Sequence, residues 1–405
     1  MNFPILFYFP VWHHCYFSRV EHGSYIATHD VRSMYLHVKL HQSAKQYFGF
    51  SVINEQGQEE FFVFAVIPFG FNDATSIMAR LLRPLRVFLH GLSVDVSWFV
   101  DDGGSVGVSL RRCASYQKIT FFMLALCGWE LAEEKTCLPA TCILYLGFYI
   151  NSMEMQIWAP VRKIAKLQRD IDHIIAANRF QVKIPNRQTA GALGTVCHLL
   201  QSHGDILRVV SRESQHRLGS AVILEGWDAD MFITDRMVEE LQLCKVYLEE
   251  FNGRPIRYEP KETHILKPAH KKYLLENWDP KNDERDLITM VSDASDTRAY
   301  VYKADDFQIV TEFPFSMDEA NSSSTLRELS AIHKLFLSDK GFLYDNQHKM
   351  ILWLTDSMNL CHIMRRGSRI RSLQRMVLDI FELMNKWGKI NIRVSKNFFL
   401  TSKYF

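Results

Sequence analysis

No stretch of the 405 residues reaches the ~20 consecutive apolar residues needed to cross a bilayer. The apolar run Ile119 to Trp129 is too short and is closed by Glu130, so a membrane partner is not expected. Cys-x-x-Cys pairs are absent as well. Eight cysteines are scattered along the chain, and Cys137 with Cys142 has no His or Cys group nearby to complete a zinc site. That usage points to a reducing, intracellular compartment, cytoplasm or nucleus. Sixteen histidines include a single adjacent pair, His13-His14, and suggest surface or core residues rather than ligands. The N-terminus lacks both a basic start and a clear cleavage site, so no signal peptide is expected. There is no internal repeat and no low-complexity tract. A net charge of +2 excludes a polycation.

What is present is 47% hydrophobic content, enough for two or three domains with real cores. The most informative stretch is Phe99-Val100-Asp101-Asp102, an apolar strand ending in an aspartate pair and followed by a Gly103-Gly104 turn. Adjacent carboxylates at a hairpin tip repel each other unless a cation neutralises them, and a divalent metal is the usual reason to keep them. The same letters also spell a plain Asp-Gly hairpin turn. Upstream, Asp30 precedes Val31-Arg32-Ser33-Met34-Tyr35, after which Val38 and Leu40 alternate with polar residues as in a half-buried strand. Asp30 alone also fits a turn or cap. Between these acids, Ile67-Pro68-Phe69-Gly70 breaks the chain before a helix; after them come Glu134-Lys135 and Tyr145-Leu146-Gly147-Phe148.

A second acid set lies further on. Leu287 to Ser295 suggests a strand carrying Asp293, and Ala299 to Tyr302 a second strand. Ser322 to Leu329 opens a helix carrying Glu328, and Met350 to Ser357 is an apolar strand ending at Asp356. Thr325-x-x-Glu328 also fits a capping box, which would leave Glu328 only closing a helix end.

In order and spacing the first group resembles the palm of a reverse transcriptase. The resemblance implies that Asp30, Asp101 and Asp102 hold two metal ions, Mg²⁺ or Mn²⁺, for in-line phosphoryl transfer. It makes Tyr35 the aromatic gate against a ribose 2′-hydroxyl, and Pro68-Phe69-Gly70 the loop against template and incoming nucleotide. Val100 takes the variable position before the pair, and Leu146-Gly147 lies in the primer-grip hairpin. Lys135 becomes the proton donor to pyrophosphate, although a solvated lysine fits equally. The second group resembles a ribonuclease H fold, in which Asp293, Glu328 and Asp356 hold metal to cut the RNA of a hybrid. Ser323-Ser324-Thr325-x-Arg327-Glu328-Leu329, with Arg366-Gly367-Ser368 and Leu373-Gln374, looks most like DIRS-type (tyrosine-recombinase) retrotransposons, with Gypsy-type elements as near neighbours. The implied partners are an RNA template, a DNA primer, an RNA–DNA hybrid and dNTPs. Nothing in the sequence sets the oligomeric state.

The expected architecture is an α+β polymerase palm with a helical thumb/connection, followed by an incomplete α/β ribonuclease H-like domain. The boundaries are an atypical segment over 1–24, the palm over 25–158, thumb/connection over 159–253, a charged, proline-bearing linker over 254–285, and the ribonuclease H-like part over 286–405. Helices are expected through Val161, Ile164, Leu167, Ile171 and Ile174, over Gln188 to Ser202, over Asp235 to Phe251, and through Ile370, Leu373, Val377, Ile380 and Met384. The sequence departs from the family in several places. Arg19 is the only Lys or Arg before Asp30, so basic fingers residues that hold a triphosphate are not evident. Ala74-Thr75 stands where the family has Ala-Pro, and no match to the fourth ribonuclease H acid follows Val394. These features suggest a copy truncated at both ends, whose activity is impaired. The alternatives are an inactive remnant that at most binds nucleic acid, and another palm-type nucleotidyl enzyme, which the Pro68-Phe69-Gly70 loop disfavours. From Arg365 to Lys403 ten Lys or Arg, among them Arg366, Arg369, Arg371 and Arg375, face only Asp379 and Glu382. That suits either a phosphate-binding face or a solvated helix.

Overall fold

The computed structural model describes residues 19–256, 287–304, 309–347, 350–387 and 391–396. Its described residues divide into two compact units, one holding those up to Ile157 together with Ile256, the other Trp158–Pro255 and the described residues from Leu287 onward. Both mix α and β structure. Of the expected segments over 1–24 and 254–285, all but residues 19–24 and 254–256 lie outside the described residues. Among the described residues no helix is long and apolar enough to cross a membrane.

The first unit holds strands β1 (Tyr25–Asp30), β2 (Gly49–Ile53), β3 (Glu59–Val63), β4 (Val96–Phe99), β5 (Asp102–Gly107), β6 (Cys137–Ala140), β7 (Cys142–Tyr145) and β8 (Phe148–Asn151). Its long helices are α1 (Ala74–Gly91) and α2 (Leu110–Leu126). Four strands form an antiparallel sheet in the order β4-β5-β1-β6. Met78, Leu82, Leu85 and Leu89 recur along α1 at helical spacing and bury one stripe against Met34, Val96 and Trp98. The strand expected through Val38 and Leu40 does not form. Ser33 turns left-handed at φ 45°, a single 3₁₀ turn covers Met34–His37, and only Lys39 makes an isolated bridge, to Val66. Burying Met34 in the core outweighs a two-residue alternation.

The glycines after the aspartate pair do not make the turn. The turn is Val100-Asp101, because Phe99 already pairs with Asp102. Gly103 and Gly104 lie inside β5, opposite Trp98 and Ser97 on one side and His29 and Thr28 on the other. The reason is steric: a Cβ on Gly103 would sit 2.1 Å from Nε2 of the buried His29 ring. His29 is wedged edge-on between Trp98 and Phe121, and burial pushes its pKa down to about 4.

In the second unit come helices α3 (Val161–Arg179), α4 (Asn186–His203), α5 (Ile206–Val210), α6 (Arg212–Glu225) and α7 (Asp235–Glu250). Ile164, Leu167, Ile171 and Ile174 are buried as their spacing requires, whereas Val161 at the helix start is exposed. Helix α6 has little apolar patterning, and only Glu213 and Ser214 are buried along it. Its first turn is instead held by Glu240 of α7, which accepts hydrogen bonds from the backbone N–H of Glu213 (2.9 Å) and Ser214 (2.8 Å). Beyond it, β9 (Leu287–Ala294), β10 (Arg298–Lys303), β11 (Ile309–Pro314), β12 (Met350–Thr355) and β13 (Asn391–Lys396) form one sheet in the order β11-β10-β9-β12-β13. The first three strands are antiparallel, while β12 and β13 join in parallel. Helices α8 (Ser324–Ser338), α9 (Met358–Arg366) and α10 (Arg371–Trp387) enclose its core. Leu373, Val377, Ile380 and Met384 form the buried stripe of α10; Ile370 precedes the helix and is exposed.

Gly103→Ala is expected to destabilise the first unit by about 1–3 kcal/mol or more, because neither the His29 ring nor the strand backbone has room to move. Thermal denaturation checks this, and an unchanged midpoint would show that the ring can swing away.

Candidate active sites

Strand register builds the first acidic site. Asp30 ends β1 directly opposite Asp102, the first residue of β5, and Asp101 sits beside them in the turn. Directly opposed residues on antiparallel strands have Cα atoms about 4.5–5.5 Å apart, so the carboxylates repel. Asp30 is buried, while Asp101 and Asp102 are half-buried. Desolvation first, then the charges of Asp101 and Asp30, push the Asp102 pKa up to about 6. Asp101 shifts in the same direction, through burial and the charge of Asp30. The counter-charge is Lys135, whose Nζ lies 3.0 Å from Asp30 Oδ2; that hydrogen bond raises the lysine pKa. Val100 holds the turn at φ 58°, a left-handed conformation that β-branched residues rarely adopt and that costs about 1–3 kcal/mol.

Of the other predicted residues, Leu146-Gly147 is tied to the acidic strand, and Tyr35 meets the Pro68-Phe69-Gly70 loop. Leu146 (φ 49°) and Gly147 (φ 78°) make the two-residue turn between β7 and β8, with the two positive φ values of a type I′ hairpin. The preceding Tyr145, buried, donates its hydroxyl to the Asp102 carbonyl at 3.2 Å and so ties that hairpin to the acidic strand. Tyr35 meets Phe69 edge to face, ring centroids 5.5 Å apart, which joins the 3₁₀ turn after Asp30 to the Pro68-Phe69-Gly70 loop. Its hydroxyl lies 3.2 Å from Thr75 Oγ1. Tyr145 and Thr75 were not singled out as site residues from sequence. The one signal for Thr75 is its departure from Ala-Pro, since proline there has no side-chain group to meet the phenol.

In the second unit Asp293 ends toward the same place as Asp356. Strands β9 and β12 run parallel with Val291 opposite Leu354, and each acid lies two residues beyond. Glu328 points into the core side of α8. It accepts from Ser292 Oγ (3.3 Å), the Ala294 backbone N–H (3.2 Å) and Thr355 Oγ1 (3.3 Å). Burial, then Asp356 and Asp293, push its pKa up to about 7. The capping-box alternative does not hold: Ser323 is the N-cap of α8, accepting from the Leu326 N–H, and Thr325 is already helical.

Both donor sets are carboxylate oxygens alone, the chemistry that suits Mg²⁺ or Mn²⁺ rather than zinc. Among the described residues, however, no three His, Cys, Asp or Glu side chains stand arranged to hold a metal ion. The acids converge in charge, and Lys135 occupies one carboxylate oxygen of the first set.

Residues 6–150 match the family model described as Reverse transcriptase (RNA-dependent DNA polymerase). This segment is reverse-transcriptase-like. It contains Asp30, Tyr35, the Pro68-Phe69-Gly70 loop, Asp101, Asp102, Lys135 and the Leu146-Gly147 turn. Among solved structures, the chain is similar to the foamy viral protease-reverse transcriptase dRH in complex with double-stranded DNA. That likeness has 14% identity and a TM-score of 0.44, and covers 93% of this chain and 58% of that one. It is similar also to the foamy viral protease-reverse transcriptase with an RNA/DNA hybrid, at 12% identity, TM-score 0.45, and coverage of 94% and 45%. No curated protein matches.

The reverse-transcriptase-like segment yields two expectations. Thr75→Val and Tyr35→Phe should each lose the same hydrogen bond, so a double-mutant cycle of unfolding free energies should give a coupling of about 0.5–1.5 kcal/mol. A coupling of zero would show that the two hydroxyls act independently. Separately, Asp102→Asn should stabilise the metal-free protein at pH 7 by about 1–2 kcal/mol, discounted for solvent screening of a half-buried group. The sign follows from linkage. The folded carboxyl keeps its proton up to about pH 6, the unfolded one only to about 3.9, so stability falls as pH rises through that window. Denaturation in EDTA should therefore show the gain at pH 7 and none below pH 4.

Proposed function

We propose that the first unit carries out RNA-directed DNA synthesis and that the acids of the second unit hydrolyse the RNA strand of a hybrid, as a retroelement enzyme of DIRS-like wording would. The observation that carries this reading is the register that sets Asp30 opposite Asp102 with Asp101 beside them. Mg²⁺ or Mn²⁺ bound by these carboxylates would supply the charge that activates a primer 3′-hydroxyl and stabilises a leaving oxygen. Asp30, Asp101 and Asp102 would hold that charge in place. The edge of Tyr35, steadied by Phe69 and Thr75, walls the space where a ribose 2′-hydroxyl would project. On this reading Lys135, held at 3.0 Å by Asp30, would give a proton to pyrophosphate once released from that carboxylate. The Leu146-Gly147 turn, tied through Tyr145 to Asp102, seats the primer end relative to the acids. In the second unit Asp293, Glu328 and Asp356 form the ribonuclease H-like set, with Ser292 and Thr355 orienting Glu328.

The Lys135–Asp30 ion pair favours a second reading, in which the acids are already neutralised and the chain binds nucleic acid without catalysis. One experiment separates the two. Purified protein is given an RNA template, a DNA primer, dNTPs and Mg²⁺ or Mn²⁺, alongside a labelled RNA–DNA hybrid. Extension should fall at least about 10²-fold in the variant carrying Asp101→Asn and Asp102→Asn while hybrid cleavage persists, and Asp293→Asn should do the reverse. Strand binding with neither activity in the parent protein would decide for the second reading.

A further inference from the structure

The second acid set leaves one buried polar group beside it without a role. Tyr302 of β10 is 8% exposed, its hydroxyl is buried, and among the described residues that hydroxyl has no hydrogen-bond partner. Strand register sets where it lies. Asp293 of β9 stands opposite Tyr300, and Val291 opposite Tyr302. Side chains alternate along a strand, so Asp293, Val291, Tyr300 and Tyr302 share one face of the sheet. Tyr302 is thus the diagonal neighbour of Asp293, and diagonal residues sit about 7–8 Å apart, a span that an aromatic side chain covers. Burial first, then the charges of Asp293 and Glu328, push the pKa of the phenol up to about 12, so the hydroxyl keeps its proton within the field of both acids.

The three acids are unequally supplied with donors. Glu328 takes the hydroxyls of Ser292 and Thr355 and the Ala294 N–H. Asp356 is exposed and open to water. Asp293 is half-buried, and among the described residues no side chain donates to it. Tyr300, directly opposite, does not fill that place, because its hydroxyl is engaged by Arg298, which also pairs with Glu312. A carboxylate short of a side-chain donor and an O–H short of an acceptor therefore lie diagonally on one face. A buried hydroxyl without a partner gives up the hydrogen bond it made in water. Native cores rarely keep such a group unless a water, an ion site or chemistry makes use of it.

We infer that Tyr302 is a positioning residue of the second acid set, whose O–H donates to the Asp293 carboxylate in the cation-bound protein and fixes the orientation in which that carboxylate ligates. This rests on the reading of Asp293, Glu328 and Asp356 as a metal-holding set. The test uses the full chain carrying Asp101→Asn and Asp102→Asn, which removes the first acid set from the measurement. It is titrated with Mn²⁺, the free ion being read by electron paramagnetic resonance, and its melting temperature is measured in EDTA. Tyr302→Phe removes only the hydroxyl. It should weaken Mn²⁺ binding on the order of tenfold, as loss of a group that orients a ligand does. The metal-free protein should nevertheless melt as high as before or up to about 4 °C higher, since an unpartnered buried hydroxyl is gone. Tyr300→Phe, whose hydroxyl Arg298 already engages, should leave the Mn²⁺ affinity unchanged. Asp293→Asn gives the loss expected when a ligand itself is removed. If Asp293→Asn weakens Mn²⁺ binding and Tyr302→Phe does not, the role of Tyr302 alone is overturned. If Asp293→Asn changes nothing, the metal-holding reading of the acids fails and the role of Tyr302 fails with it. A Tyr302→Phe protein that melts lower without metal overturns the proposal too, because its hydroxyl would then be supporting the fold rather than Asp293.

Discussion

Two carboxylates facing each other across neighbouring antiparallel strands are the constraint on which the first unit turns. Asp30 and Asp102 cannot move apart without breaking the register of β1 with β5, and Asp101 adds a third negative charge within the same turn. The protein meets this repulsion in two ways at once. The pKa of Asp102 rises to about 6, which eases proton uptake, and Lys135 lends its charge to Asp30. Neither response is complete. A half-buried site that still carries excess negative charge near neutral pH has a standing affinity for cations, and that follows from backbone register alone.

The second acid set solves the same problem with hydroxyls instead of a lysine. Glu328 is buried among Ser292, Thr355 and the Ala294 N–H, all of which donate to it. Neutral donors stabilise a carboxylate less than an ammonium group does, and burial works against its charge, so the Glu328 pKa climbs to about 7. Trp353, which donates from its indole to Ser292 Oγ at 2.9 Å, completes the chain of support from the core. The contrast explains why one glutamate sits deep and two aspartates stay nearer the surface. Only the deep acid has enough fixed donors to be carried inside.

Much of this was legible in the letters because acids at strand ends are a pattern of order and spacing. Helices α3, α4, α7 and α10 were legible too, since their apolar residues recur at 3.6, whereas α2 was not, because the residues it buries include Gln117 and Thr120. What failed did so for local physical reasons. Val38 and Leu40 alternate like a strand, yet burying Met34 forces a 3₁₀ turn. Gly103-Gly104 reads as a turn, yet both glycines are inside a strand, and the His29 ring lies against Gly103. Helix α6 shows no stripe because its start is held by a distant glutamate rather than by its own sequence. Contacts such as Tyr35 with Thr75, or Gln374 with Val209, join residues far apart in the chain. A single sequence gives no spacing rule for such pairs.

Lys135 links the two readings of the first site more tightly than either reading alone implies. Its bond to Asp30 raises its pKa, which makes it a weaker proton donor for as long as the pair persists. The same bond occupies the carboxylate oxygen that an incoming cation would need. Any cation that displaced the lysine would therefore do two things in one event: take over the charge of Asp30 and free an ammonium group beside the acids. A lysine that stays would leave Asp30 neutralised and the proton held. Because Lys135 is exposed and Asp30 is buried, the lysine pays little solvation to leave, while Asp30 cannot follow it into water. That asymmetry makes exchange of the lysine for a more highly charged ion the direction in which the electrostatics of the site run.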